Sequence, residues 1–188
     1  MSLAHVILGL LQQQERTGYD LKTKCFNDCI SHLWQADQAQ IYRTLDKLES
    51  QAWITCTVEI QHDRPNRKVY QITEAGEAEL THWLQTHHPL PMLREPLLVQ
   101  LYFAAQLPNE AIVYLLEQEL EARQEKLAQC EAQCEAIAAL SLSNPTASRE
   151  QKLHRLVLDL VKQREQTHLD WLEKAIRDMH TLRDRNNP

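Results

Sequence analysis

Gln40, Arg43, Thr44 and Lys47 stand three and four positions apart. In a helix turning about 100° per residue they share one polar face. Gln and Arg can form paired hydrogen bonds to base edges, while Thr and Lys can reach bases or phosphates. A polar stripe alone is usually a solvated surface. What raises this one above that reading is the basic loop that follows, where Arg64, Arg67 and Lys68 stand close together with no acid between them. Cations in such a loop neutralise phosphates or lie in the minor groove, so the order is that of a groove-entering helix with a charged hairpin beside it.

Positioning those side chains requires a helix start, an apolar underside and two strands. Asp37 can cap the helix and Gln40 can reach back to it as in a capping box, while Ile41, Leu45 and Leu48 face inward. Before it, Ala4 to Leu11 reads as a buried helix with Ser2 as N-cap. Tyr19, Leu21, Cys25, Phe26 and Cys29 then recur as a second helix of about three turns. After it, Trp53 to Ile60 and Lys68 to Thr73 read as a two-stranded wing around turn signals at Asp63 to Asn66. Thr73 caps a further helix with Leu80, Trp83 and Leu84 on one side, ending at His87-His88-Pro89. The fold class is therefore mainly α with a small β-wing, an N-terminal winged helix-turn-helix.

Pro89, Pro91 and Pro96 redirect the chain, since proline withholds a donor and biases its predecessor away from helix. They place a domain boundary near residue 90, dividing a DNA-binding domain (1–90) from an α-helical domain (91–188). Beyond the boundary, helical patterns run from Glu95 to Ala105, Pro108 to Leu140 and Ala147 to about Arg183. In the second, Val113, Leu116, Leu120, Leu127, Cys130, Cys134 and Ile137 alternate 3- and 4-residue steps with Arg123 as the charged member, a coiled-coil seam. The last repeats the theme with Leu153, Val157, Leu160, Arg164 and Trp171. Long seams on so thin a domain call for a second chain, so the helical half is expected to be an antiparallel or coiled-coil dimerisation domain.

Composition excludes other classes. Only three glycines occur among 188 residues, which leaves no Gly-rich loop to cradle a phosphate or dinucleotide. No metal-ligand spacing or nucleophile–base motif appears, so the chain is not expected to be an enzyme or to use a cofactor. The formal charge of −6 argues against a general polyanion binder and for a small, salt-sensitive basic surface. The five cysteines are an odd number and no secretory start is present, which fits a reducing cytoplasm. No apolar run approaches the roughly 20 residues that span a bilayer, so a soluble protein without a membrane partner is expected.

Other clusters have bland readings that outweigh the sharp ones. Cys25/Cys29 and Cys130/Cys134, each at i, i+4, could sense metal or redox state, yet buried packing accounts for most free cysteines. His87-His88 has no obvious co-ligands. Trp34, Trp53, Trp83 and Trp171 could line an aromatic effector pocket, but core packing explains them more cheaply.

Val6-Ile-Leu-Gly-Leu-Leu11, Thr17-Gly-Tyr-Asp-Leu21, Trp34, Gln40-Ile-Tyr-Arg-Thr-Leu-Asp-Lys-Leu-Glu49 and Arg67-Lys-Val-Tyr-Gln-Ile-Thr-Glu-Ala-Gly76 together resemble the PadR family of bacterial transcription regulators. The likeness covers the first ninety residues by motif. The second half is similar, by pattern, to the C-terminal helical domain of the AphA-like subgroup. The resemblance implies a winged-helix homodimer on a double-stranded operator of approximate two-fold symmetry, more often a repressor than an activator. It also implies that Tyr19 and Tyr42 lie near the DNA backbone, that Gln40, Arg43, Thr44 and Lys47 form the recognition face, and that Arg64, Arg67 and Lys68 belong to the wing. One position departs from the family: Ala52 stands where glycine commonly follows the recognition helix, which changes how that helix can end. A small-molecule effector or a partner protein would be the regulatory input. The alternatives are a winged-helix protein acting mainly through protein partners and a thiol- or metal-responsive variant of the regulator.

Overall fold

The computed structural model describes residues 2–60, 66–90, 92, 94–142 and 149–182, with side chains omitted from 133 onward in the first of the two long helices. Arg64 and the side chains of Cys134 and Ile137 therefore lie outside the described residues. The chain forms two compact units, Met1–Pro91 and Met92–Pro188.

In the first unit the order is α1 (Leu3–Gln13), β1 (Arg16–Thr17), α2 (Gly18–Asp20) running into a π-helical stretch (Leu21–Cys29), α3 (Gln38–Ser50), β2 (Ile54–Glu59), β3 (Arg67–Ile72) and α4 (Glu74–Gln85). One apolar core joins them. Ile7, Leu8, Leu21, Cys25, Ile41, Leu45, Leu48, Ile54 and Tyr70 are all buried in it, and Trp34, Trp53 and Trp83 pack on its margin. Each buried aliphatic contributes roughly 1.5–3 kcal/mol, so α3 is seated mainly by its three inward residues.

The wing has one strand more than expected. β2 pairs antiparallel with β3 in the register Ile54↔Ile72 to Glu59↔Arg67, and β1 adds to the other edge of β3 through Arg16↔Tyr70 and Thr17↔Val69. Two residues are too short to show a period of two, which is why the pattern of the chain does not reveal β1. The second helix also differs from the expected α-helix of three turns. It starts at Thr17, which with Asp20 makes a reciprocal capping box, and then widens into the π form from Leu21. Ser2 stands at the N-cap of α1, but its hydroxyl bonds His5 Nδ1 at 2.7 Å and caps no backbone N–H. Leu80 and Trp83 of α4 pack inward as expected, whereas Leu84 is 65% exposed. One hundred degrees of rotation separates neighbours on a helix, enough to carry Leu84 past the edge of the core.

The second unit holds α5 (Pro96–Phe103), a 3-10 turn (Ala104–Gln106), α6 (Asn109–Leu142) and α7 (Arg149–Thr181). α6 and α7 are antiparallel: Asn109 Nδ2 donates to the Leu182 carbonyl at 2.7 Å, Arg123 meets Glu165 at 3.0 Å, and Glu131 meets Lys162 at 2.7 Å. Near one end of the hairpin Leu97, Ala104, Ile112, Leu116 and Leu172 make a small apolar core. Farther along, polar contacts dominate. Arg123 donates to Glu119 at 2.7 Å, to Glu165 and to Glu95, and Lys126 also pairs with Glu165. Burial opposes the Glu165 charge, yet the Lys126 and Arg123 hydrogen bonds outweigh it and hold the carboxyl below its ordinary range. Arg123 thus occupies a seam position with its charge paired to Glu95, Glu119 and Glu165.

The expected seam needs restating. Val113, Leu116 and Cys130 are already buried within the single chain, and Leu120 and Leu127 are half-buried. The α7 residues that are buried are Leu158, Glu165, Leu169 and Leu172. Leu153 (51%), Leu160 (58%) and Trp171 (41%) are exposed in the single chain, as is Val157. The two α7 stripes differ by one residue, or about 100°, and both follow a heptad. Periodicity finds both, and packing decides which one meets α6.

Candidate nucleic-acid interface

The polar face expected to meet DNA is built from the start of α3 outward. Asp37 Oδ1 accepts from the Gln40 backbone N–H at 2.7 Å, and Gln40 Oε1 accepts from the Asp37 N–H at 3.0 Å. This reciprocal pair satisfies donors that an unpaired helix start leaves open. It also has a cost for recognition, since the Gln40 oxygen is engaged and the amide nitrogen is the part left to face outward. Thr44 Oγ1 donates to the Gln40 carbonyl at 2.7 Å, and Arg43 Nε donates to the Ala39 carbonyl at 3.2 Å. Arg43 therefore lies folded along its helix with its two terminal nitrogens outermost. With Leu3, Trp34 and Gln35, these side chains and Lys47 line a shallow concavity of about 550 Å³. Trp34, Leu3 and Gln35 form the floor and wall of this concavity, a role that polar spacing alone does not reveal.

Two glycines permit close approaches around it. A Cβ on Gly18 would stand 2.6 Å from the Tyr42 ring, so Gly18 lets that ring lie flat against the start of α2. Tyr19 is 65% exposed next to it, and Tyr42 is at the margin of exposure. A Cβ on Gly76 would stand 2.1 Å from the Trp53 carbonyl, where α4 meets the end of α3. That end is a Schellman arrangement. The Trp53 N–H reaches the Leu48 carbonyl at 3.0 Å and the Ala52 N–H reaches Glu49 at 2.9 Å. Ala52 occupies the left-handed position with φ 57°, so the family's usual glycine site keeps its backbone shape despite the substitution. Thr73 fastens the turn, its hydroxyl donating to the Ala52 carbonyl at 2.7 Å while accepting from the Gly76 N–H at 3.1 Å.

The wing cations divide. Lys68 is exposed on β3 opposite Val58. Arg67 instead reaches Asp20 Oδ2 at 2.9 Å and comes within 4.0 Å of Glu59. Asp20 is buried, accepts from the Thr17 hydroxyl at 2.6 Å and pairs with Lys24 at 2.7 Å. Hydrogen bonds from Lys24 first and Thr17 second hold its carboxyl well below the usual range. Asp20 thus ties the loop end of the β2–β3 hairpin to the helix before the turn, and the charge of Arg67 is partly neutralised there. Spacing does not disclose this, because Asp20 and Arg67 are far apart in the chain.

The remaining clusters take structural places. His88 lies 5.1 Å from the Trp83 ring, which also stacks on His5 at 4.8 Å. Among the described residues no group of three or more His, Cys, Asp or Glu could hold a metal ion, and no helix is long and apolar enough to cross a membrane.

With this geometry in place, the likeness to known proteins becomes specific. Residues 7–82 match the model of the transcriptional regulator PadR-like family, and residues 93–180 match the model of the virulence activator alpha C-terminal region. The chain is 32% identical over 179 residues to the negative transcriptional regulator PadR of Bacillus subtilis, covering 93% of this chain and 95% of that one. The structure of Bacillus subtilis PadR in complex with operator DNA superposes with a TM-score of 0.79 at 30% identity, covering 93% of this chain and 96% of that chain. Its complex with p-coumaric acid gives a TM-score of 0.74 at 29% identity, covering 96% of each chain. The Vibrio cholerae virulence activator AphA gives 0.72 at 28% identity, covering 95% and 98%. This chain, with a winged helix-turn-helix followed by a long helical hairpin, belongs to the PadR-like family of transcriptional regulators.

Proposed function

We propose that this protein is a homodimeric, operator-binding repressor of the cytoplasm. Residues 1–90 read DNA and residues 91–188 join two copies. The observation that carries the proposal is the polar face of α3, turned away from Ile41, Leu45 and Leu48. It presents Gln40, Arg43, Thr44 and Lys47 around one concavity, beside a wing carrying Lys68. Arg43 and Gln40 supply base-edge contacts, whereas Lys47, Lys68, Arg64 and the partly neutralised Arg67 position the protein through phosphates. Tyr19 and Tyr42 flank that face near the backbone. The outward α7 stripe of Leu153, Val157, Leu160 and Trp171 supports dimerisation, since it leaves an apolar row for a second copy. Dimerisation would set two recognition helices about 34 Å apart, one turn of DNA. The structure of Bacillus subtilis PadR in complex with p-coumaric acid supports a small-molecule input.

Selection of bound fragments from genomic DNA, followed by salt-titrated binding, tests the reading. Arg43→Ala should weaken the selected site by about 1–3 kcal/mol and relax its sequence preference. Lys68→Ala should weaken all sequences alike and reduce the salt slope by about 1. Unchanged affinity in both variants rejects the assignment. A chain ending at residue 90 that still dimerises and binds fully rejects the role of the helical unit.

A further inference from the structure

Cys25 and Cys29 lie four residues apart in the π-helical stretch Leu21–Cys29, and the DNA-binding reading uses neither. In an α-helix four residues overshoot one turn by roughly 40°. Here the turn is wider, closed by the Ile30 N–H on the Cys25 carbonyl at 3.0 Å, which brings positions i and i+4 nearer to eclipsed. The two residues therefore share one side of a single helical turn.

Their surroundings are unequal. Cys25 is fully buried in the core that also holds Ile41 and Leu45 of α3, whereas Cys29 is the one exposed thiol among the described cysteines. Burial first, and the charge of Cys29 next, push the Cys25 thiol up to about 11, while Arg16 pulls it down. Arg16 Nε is itself buried with no hydrogen-bond partner among the described residues. The arrangement therefore offers an exposed sulfur for first attack, a shielded sulfur behind it, and a guanidinium to steady a passing thiolate.

We infer that Cys25 and Cys29 form an oxidisable dithiol site whose closure by a peroxide weakens the seating of α3. The Cys29 thiolate attacks one peroxide oxygen, the O–O bond breaks, and the departing hydroxide leaves as water after taking a proton. The Cys25 sulfur then attacks the sulfur of the resulting sulfenic acid. The S–S bond forms as the S–O bond breaks, and the hydroxide leaves with the Cys25 proton as a second water. Two thiols lose two electrons and two protons, and one peroxide becomes two waters. A disulfide needs sulfurs about 2.0 Å apart and a dihedral near 90°, whereas one of these thiols is buried and the other exposed. Cys25 must be drawn toward the surface, and the core beneath Ile41 and Leu45 must follow.

The full-length protein, reduced and then treated with hydrogen peroxide, supplies the test. Peptide mapping should find a Cys25–Cys29 crosslink, and affinity for genomically selected DNA should fall at least tenfold and return with dithiothreitol. Cys29→Ser, at an exposed position, should keep the reduced affinity and lose the response. A Cys29 sulfinic acid without the crosslink, or a crosslinked form that binds DNA unchanged, overturns the inference. If the reduced protein binds no DNA, the DNA-binding reading fails instead. The crosslink and the melting temperature of the two redox forms then decide this one: the same melting temperature in both overturns it.

Discussion

The two units of this chain solve the same problem with different forces. The N-terminal unit buries a continuous apolar core under α3, and its ionic contacts sit at the edge, where Asp20 holds Arg67 and Lys24. The C-terminal unit has a small apolar core near one end and then relies on Arg123, Lys126, Glu95, Glu119 and Glu165. An apolar core tolerates little displacement, which suits the base-reading role proposed for the polar face of α3. A pair of long helices joined by charge-assisted bonds leaves an apolar row outward, which suits the proposed pairing with a second copy.

This contrast can be broken at its strongest point first. Leu45→Ala removes a fully buried side chain beneath the recognition face and should destabilise the N-terminal unit by about 2–5 kcal/mol, as read by urea unfolding. A loss below 1 kcal/mol would mean that the core does not seat α3. Glu165→Ala leaves Arg123 and Lys126 without their shared partner. It should cost the helical unit about 3 kcal/mol, less if Glu95 and Glu119 take up the charge. The expected size of this change sets the cluster apart from an exposed surface pair, where replacement is nearly neutral.

Acid should separate the units more gently. Asp20 and Glu165 both have folded pKa values depressed below their unfolded values. Their contribution is therefore present above about pH 4, near the unfolded carboxylate pKa, and is lost as pH falls through the folded values. Asp20→Asn should flatten the acid limb of N-terminal unfolding without moving that of the helical unit; an unchanged limb would show the Arg67 clamp to be energetically idle. The smallest effect is expected at Ala52→Gly. Relief of the left-handed φ of 57° should stabilise the N-terminal unit by about 1 kcal/mol, measurable as a rise in melting temperature with DNA affinity preserved.

Much of the reading head was legible because its signals are local. The Asp37–Gln40 capping box, the inward set Ile41, Leu45 and Leu48, and the Thr73 cap all lie within one or two turns. The two longer wing strands follow from the same short range. Illegible parts share a different character. Arg67 reads as a free wing cation until Asp20 is brought beside it, and Leu84 reads as core until the helix meets its neighbour. The π widening at Leu21–Cys29 has no composition of its own. On α7 the outer stripe of Leu153, Val157, Leu160 and Trp171 is as regular as the one that is buried, so periodicity cannot choose between them.

By itself, then, the order of residues determined most of the helices and the two longer strands, the Asp37 and Thr73 caps, the winged helix-turn-helix class and the polar face of α3, because each depends on neighbours within a few positions. Tertiary structure alone decided which α7 stripe closes on α6, that β1 joins the wing, and that Asp20 takes a share of Arg67. Those choices compare faces and charges from distant segments, and their energies exist only once the chain has folded back to place the segments in contact.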